Sequence, residues 1–189
     1  MKLSHGAVLA ALLVLSACAS GPPATYDLFL PSQAGPLKPM DSSMVVAEPL
    51  ASRSVDTDRI IVRGADGAVS YIPGAQWSDR APTLLQTRLI RAIEDKGYSV
   101  AREGAGVLGD RILASDISAF NLVPGSPFKV QLALTMRLID AREGRILASQ
   151  SFYAEAEVAS AEGSDVASGF DKVMTTLLPN IAQWALAHH

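Results

Sequence analysis

The chain has 189 residues, 16 of them Lys or Arg and 19 Asp or Glu, for a formal net charge of −3. That balance, with no run of basic residues, argues against nucleic acid and against electrostatic adhesion to anionic lipid headgroups. A single cysteine excludes a disulfide framework, and the length suffices for one domain that folds on its own core.

The first element is a leader. Lys2 precedes the apolar run Ala7–Leu15, which ends in Leu15-Ser16-Ala17-Cys18. A charged start, a short apolar stretch and small residues before a cut make a secretory signal. Nine apolar residues are too few to span a bilayer core, which takes roughly 20 in a helix. The cysteine just after the cut resembles the lipobox of bacterial lipoproteins. That resemblance implies removal of residues 1–17, transfer of a diacylglycerol to the Cys18 thiol and acylation of the new amino group, for example by palmitate. The competing reading is an ordinary secretory signal that leaves Cys18 as a free thiol, an uncommon choice in an oxidising compartment. By analogy with lipoprotein sorting, Ala19 after the cysteine points to the outer membrane, with the protein facing the periplasm. Without the leader's one lysine, 15 basic residues stand against 19 acidic, a balance of −4.

Residues 18–41, with Gly21-Pro22-Pro23, Pro31-Ser32 and Gly35-Pro36, read as an acylated flexible tether ahead of a domain over 42–189. Inside the tether, Tyr26-Asp27-Leu28-Phe29-Leu30 alternates and is a candidate first strand. Short strands are expected at Met44–Ala47, Arg59–Arg63 and Ala68–Ile72, the last two joined by a hairpin whose Asp66-Gly67 supplies the positive φ of a tight turn.

Ser78 or Asp79 can cap a following helix whose first turn tolerates Pro82. Leu85, Leu89, Ala92 and Ile93 form its apolar stripe and Gly97 ends it. Three long strands come next: Ile112–Val123; Phe128–Leu138, apolar at every even position; and Ile146–Val158. Short turns between them require antiparallel pairing. A last helix starts near Ser164-Asp165 and carries Val166, Phe170, Val173, Leu177, Ile181 and Trp184, with Pro179 expected to kink or break it. The fold class is α+β, a mostly antiparallel sheet with two main helices on one face.

Catalytic constellations are missing. His5 lies in the leader, and His188 and His189 end the chain, so no histidine remains inside the domain for Ser/His/Asp or Cys/His chemistry or for a metal. The carboxylate pairs Asp56/Asp58, Glu94/Asp95 and Glu155/Glu157 read as solvated faces. Gly104-Ala105-Gly106-Val107-Leu108-Gly109 has the spacing of a dinucleotide loop but leads into a strand, where no helix N-terminus faces a phosphate. The expectation is a protein that is not an enzyme and that holds neither cofactor nor metal apart from the covalent lipid on Cys18.

Over essentially the whole mature chain the sequence resembles the ABC-type transport auxiliary lipoproteins, the PqiC-like family. The resemblance rests on the lipobox; Tyr26-Asp27-Leu28; Val45-Val46 with Pro49; Asp58-Arg59 leading Ile60-Ile61-Val62-Arg63; Gln76-Trp77-Ser78-Asp79; Asp116-Ile117 with Phe120; and Leu138-Ile139-Asp140 with Gly144. Asp56-Thr57-Asp58 departs from the family's aromatic-leucine pair at that place. The family implies an accessory of an MCE-type ABC system, with an MCE-domain protein and an ABC permease and ATPase as partners and phospholipid or another hydrophobic molecule as cargo.

On that footing three functions stand open: a docking and tethering lipoprotein, a periplasmic lipid carrier, and a structural envelope stabiliser. Assembly into a homo-oligomer is compatible with all three. Arg59 and Arg63, on one face of an alternating strand, suit pairing with partner carboxylates. Trp77 is either a core residue at a helix start or a partner anchor.

Overall fold

A computed structural model describes residues 21–28 and 35–189. In chain order the elements are β1 (Ala24–Tyr26), β2 (Met44–Val46), β3 (Leu50–Ala51), β4 (Arg59–Arg63), β5 (Val69–Trp77), α1 (Ala81–Glu94), β6 (Ala101–Arg102), β7 (Arg111–Val123), β8 (Phe128–Asp140), β9 (Arg145–Val158) and α2 (Gly163–His188). The fold is α+β, as the periodicities require: the described residues form one open sheet of nine strands, with both of their helices on one face.

β7 organises the sheet. Along one side it pairs antiparallel with β8 over its whole length, and β8 pairs antiparallel with β9. Along the other side three short strands dock in succession, all parallel to it: β2 at Arg111–Leu113, β3 at Asp116–Ile117 and β4 at Leu122. β5 then pairs antiparallel with β4, β1 parallel with β5, and β6 parallel with β2. Period-2 patterning reports which face a side chain takes and not which strand lies beside it, so these parallel contacts are an addition to the sequence reading. They need long connections, and the stretch between β4 and β7 supplies one.

The inward positions of β8, from Val130 to Leu138, are at most 1% exposed and face the helices. Phe120 on β7, Trp77 at the end of β5 and Phe170 on α2 meet at the centre, with ring centroids 4.3 to 5.5 Å apart. α2 lies close on the sheet because of Gly169. A Cβ there would come within 2.3 Å of Val158 Cγ1 and 2.9 Å of Val130 Cγ2.

Three local expectations change. The N-cap of α1 is Arg80, with no side-chain capping bond. Asp79 instead accepts the Arg80 N–H at 2.7 Å, and the Ser78 N–H goes to the Tyr26 carbonyl at 2.7 Å. The Arg80 side chain bridges Glu48 and Asp56, holding the preceding loop against the helix start.

β5 does not stop at Ile72. It continues through Pro73 and Gly74, whose φ is +67°, with a shift of register against β4, and so delivers Trp77 to the core. α2 runs through Pro179 without a break. Pro179 is exposed, so the Thr175 carbonyl it leaves without an N–H faces water, while Leu177, Leu178, Ile181 and Trp184 on the other side are buried. Gly97 closes α1 at φ +88°, and its carbonyl accepts the Lys38 N–H at 2.8 Å.

Candidate partner surface

The face of the sheet turned away from the helices carries the outward residues of β7, β8 and β9. Register places Lys129 opposite Glu157, Gln131 opposite Glu155 and Ala133 opposite Tyr153. Glu155 collects the donors of this corner: Lys129 Nζ at 2.6 Å, the Tyr153 hydroxyl and Gln131 Nε2 at 3.4 Å. The Lys129 bond, then those from Tyr153 and Gln131, hold the Glu155 carboxyl at a pKa of about 2. The same contact raises Lys129, and the bond to Glu155 raises Tyr153. Farther along, Arg137 pairs with Asp116, and Thr135 bonds Ser151 at 3.1 Å. This is a wet sheet face knitted by cross-strand pairs.

The sequence-derived site residues fall in different places. Arg59 is exposed at the start of β4, with its guanidinium 3.7 Å from the centroid of the Tyr71 ring. Arg63 is partly buried at the other end of the strand, and Ile61 between them is 1% exposed. Neither arginine forms an ion pair with a carboxylate among the described residues.

Trp77 is 1% exposed and packed between Phe120 and Phe170, so it offers nothing to a partner, and its place among partner-binding residues is corrected. The bulged continuation of β5 turns it inward. Cys18 lies outside the described residues.

At the end of the sheet where β7 begins, the outward face changes character. Val45, Ile112, Ile139 and Ile146 stand side by side on β2, β7, β8 and β9 through successive register pairs. Val45 is buried and Ile146 is 53% exposed. Beside this row the loop 103–109 walls a hollow of about 400 Å³ and presents Val107 and Leu108, the latter 96% exposed.

The rim of this end is charged. Arg111–Asp140 and Arg142–Asp110 pair at 2.8 Å, and Arg145–Glu143 at 3.0 Å. Ser43 donates to Asp110 through its hydroxyl at 3.0 Å and its N–H at 3.2 Å, holding that carboxyl below its usual range. Backbone N–H bonds, first from Glu143, do the same for Asp140.

Sequence reasoning did not find this row. Its trace is a doublet in each inner strand, Val45-Val46, Ile112-Leu113 and Leu138-Ile139, where alternation gives way to two apolar residues in succession. Only the register shows that the doublets coincide.

On the helical side, a cleft of about 270 Å³ lies between the end of α1 and the Pro179 turn of α2. Ala92, Met174, Leu178 and Pro179 line it, and Arg91, Asp95 and Lys96 stand at its edge. Among the described residues no group of three His, Cys, Asp or Glu could hold a metal ion, and no helix is long and apolar enough to cross a membrane.

An open nine-stranded sheet among the described residues, with helices on one face and a knitted polar surface on the other, makes an α+β domain of two layers. The chain belongs to the ABC-type transport auxiliary lipoprotein component family, whose model matches residues 26–182. Among solved structures it is similar to protein XCC0632 from Xanthomonas campestris, with 27% identity over 87% of this chain and 95% of that one and a TM-score of 0.77. An uncharacterized protein shares the fold at 15% identity and a TM-score of 0.67, covering 87% of this chain and 99% of its own. No curated protein matches this chain significantly.

Proposed function

We propose that the protein is the docking and tethering lipoprotein of an MCE-type ABC system that moves phospholipid or another hydrophobic cargo. The lipid on Cys18 holds it to the outer membrane, facing the periplasm. The observation that carries this reading is the family match over residues 26–182. The packing supports docking over carriage. The apolar face of the sheet is consumed by α1 and α2, and the centre is filled by Trp77, Phe120 and Phe170. Work on the cargo then belongs to the ATPase and permease, and this chain supplies position.

The test is recovery of tagged full-length protein from membranes in mild detergent. An MCE-domain protein, a permease and an ATPase should accompany it in fixed ratio. Intact lipoprotein recovered without any of them refutes the reading. The cleft, with its apolar floor beside Arg91 and Lys96, favours a second reading, a lipid carrier. Radiolabelled phospholipid that co-elutes with the protein at one per chain on gel filtration would select it.

A further inference from the structure

We propose that the isoleucine row and the hollow beside Val107 and Leu108 are the surface through which this protein binds its transporter partner. The occupant is a protein segment that seats an aliphatic side chain in the hollow and flanks it with Lys or Arg. This rests on the docking reading above and gives it a place on the molecule.

The outward sheet face is polar along β8 and β9 except at this end, where Ile112, Ile139 and Ile146 adjoin across three strands and Leu108 stands almost fully in water. A contiguous apolar patch beside a concavity and rimmed by charge has the anatomy of a protein interface. Its charge selects the partner. Three arginines of the rim are already matched by Asp110, Asp140 and Glu143, which leaves Asp41 and Glu103 without an ion pair among the described residues. The surplus is acidic.

An acidic rim repels an anionic lipid surface, and it repels its own image in a symmetric pairing of two copies. A partner of different sequence with basic flanks fits it. The position agrees. β1, where the tethered N-terminus enters the sheet, joins β5 at Ala75, one residue from the Gln76 that pairs with Arg59 of β4, and β4 lies against the late part of β7. The isoleucine row crosses β7 at Ile112, about 25 Å away along the strand at roughly 3.3 Å per residue. The patch therefore lies at the end of β7 remote from the point where β1 joins the sheet.

The experiment places a photoreactive residue, Leu108→p-benzoylphenylalanine, in the full-length lipoprotein in its own membrane, followed by irradiation and mass-spectrometric mapping. The expected product is an adduct with a subunit of the ABC system at an aliphatic residue that has Lys or Arg within a few positions. An adduct with a second copy, an adduct with lipid, or no adduct overturns the proposal. In parallel, Leu108→Asp combined with Ile146→Asp should lower co-purification of that subunit about tenfold or more with an unchanged melting temperature, since both side chains are already exposed. Asp41→Lys with Glu103→Lys should weaken capture about threefold and flatten its salt dependence. Undiminished capture by the Leu108→Asp, Ile146→Asp protein overturns this surface and leaves docking standing. Failure of the unaltered protein to capture any subunit overturns docking itself.

Discussion

Gly169→Ala is the sharpest test of how α2 is held on the sheet. In an exposed helix this change is stabilising by about 1 kcal/mol, because glycine is the poorer helix former. Here the new methyl would lie 2.3 Å from Val158 Cγ1 and 2.9 Å from Val130 Cγ2, both shorter than any contact a Cβ makes in real structures. Those two valines sit on β9 and β8 under the helix, so α2 must lift or both side chains must leave their rotamers. Overpacking of that kind costs about 1–3 kcal/mol. Two simultaneous clashes put the cost at the upper end, and the propensity gain offsets only part of it. The net expectation is about 1–2 kcal/mol of destabilisation, or about 2–8 °C in Tm for a domain of this size. Chemical denaturation at constant m-value is the assay. Introducing Gly169→Ala into a Val158→Ala background should cost about 1 kcal/mol less than in the unaltered chain. A rise in Tm for Gly169→Ala alone, or full additivity with Val158→Ala, would refute the close approach.

Other outcomes follow from the same structure. Trp77→Ala should cost about 3–5 kcal/mol, and Trp77→Phe much less, because the buried indole N–H has no hydrogen-bond partner among the described residues to lose; equal costs would count against the aromatic core. The Glu155 carboxyl should titrate near pH 2 by NMR and move toward its ordinary 4.5 in Lys129→Met. Its folded pKa is depressed, so its contribution to stability is complete above the unfolded value and is lost as pH falls toward 2; an ordinary midpoint in the unaltered protein would remove the Lys129 bond. Cys18→Ser should abolish palmitate labelling and leave uncleaved precursor or a soluble periplasmic form, and label in the variant would refute the lipid anchor. Arg59→Glu with Arg63→Glu should change stability by no more than about 1 kcal/mol, the scale of the exposed contact with Tyr71; lowered partner capture would add β4 to the interface, and unchanged capture leaves the interface at the isoleucine row.

Much of this fold is written locally. The even positions of Phe128–Leu138 fix the inward face of β8, the spacing of Leu85, Leu89 and Ile93 fixes the buried stripe of α1, and Gly67 and Gly97 mark turns that demand positive φ. What escaped depends on neighbours remote in sequence. Whether Pro179 breaks a helix is decided by which way it faces, and whether Trp77 is an anchor or a core residue is decided by a bulge at Gly74. The apolar row is hidden for the same reason. Ile112 and Ile139 each look like a lapse in one strand's alternation, and they become a surface only when the register sets them side by side.

The three parallel strands on β7 also bear on how the domain is made. Val45, Leu50 and Val62 find their partners 60 to 67 residues farther along the chain. A polypeptide that emerges N-terminus first therefore carries β2, β3 and β4 with the ladder groups that face β7 unfilled until Arg111–Val123 has appeared. Contacts of such separation are entropically late, whereas β7, β8 and β9 join through tight turns and close on one another quickly. Closure runs backwards along the sequence: the C-terminal meander sets first, α2 settles on it, and the earliest residues are gathered in last. A chain halted before Arg111 holds one hairpin and one amphipathic helix with no sheet to lie against.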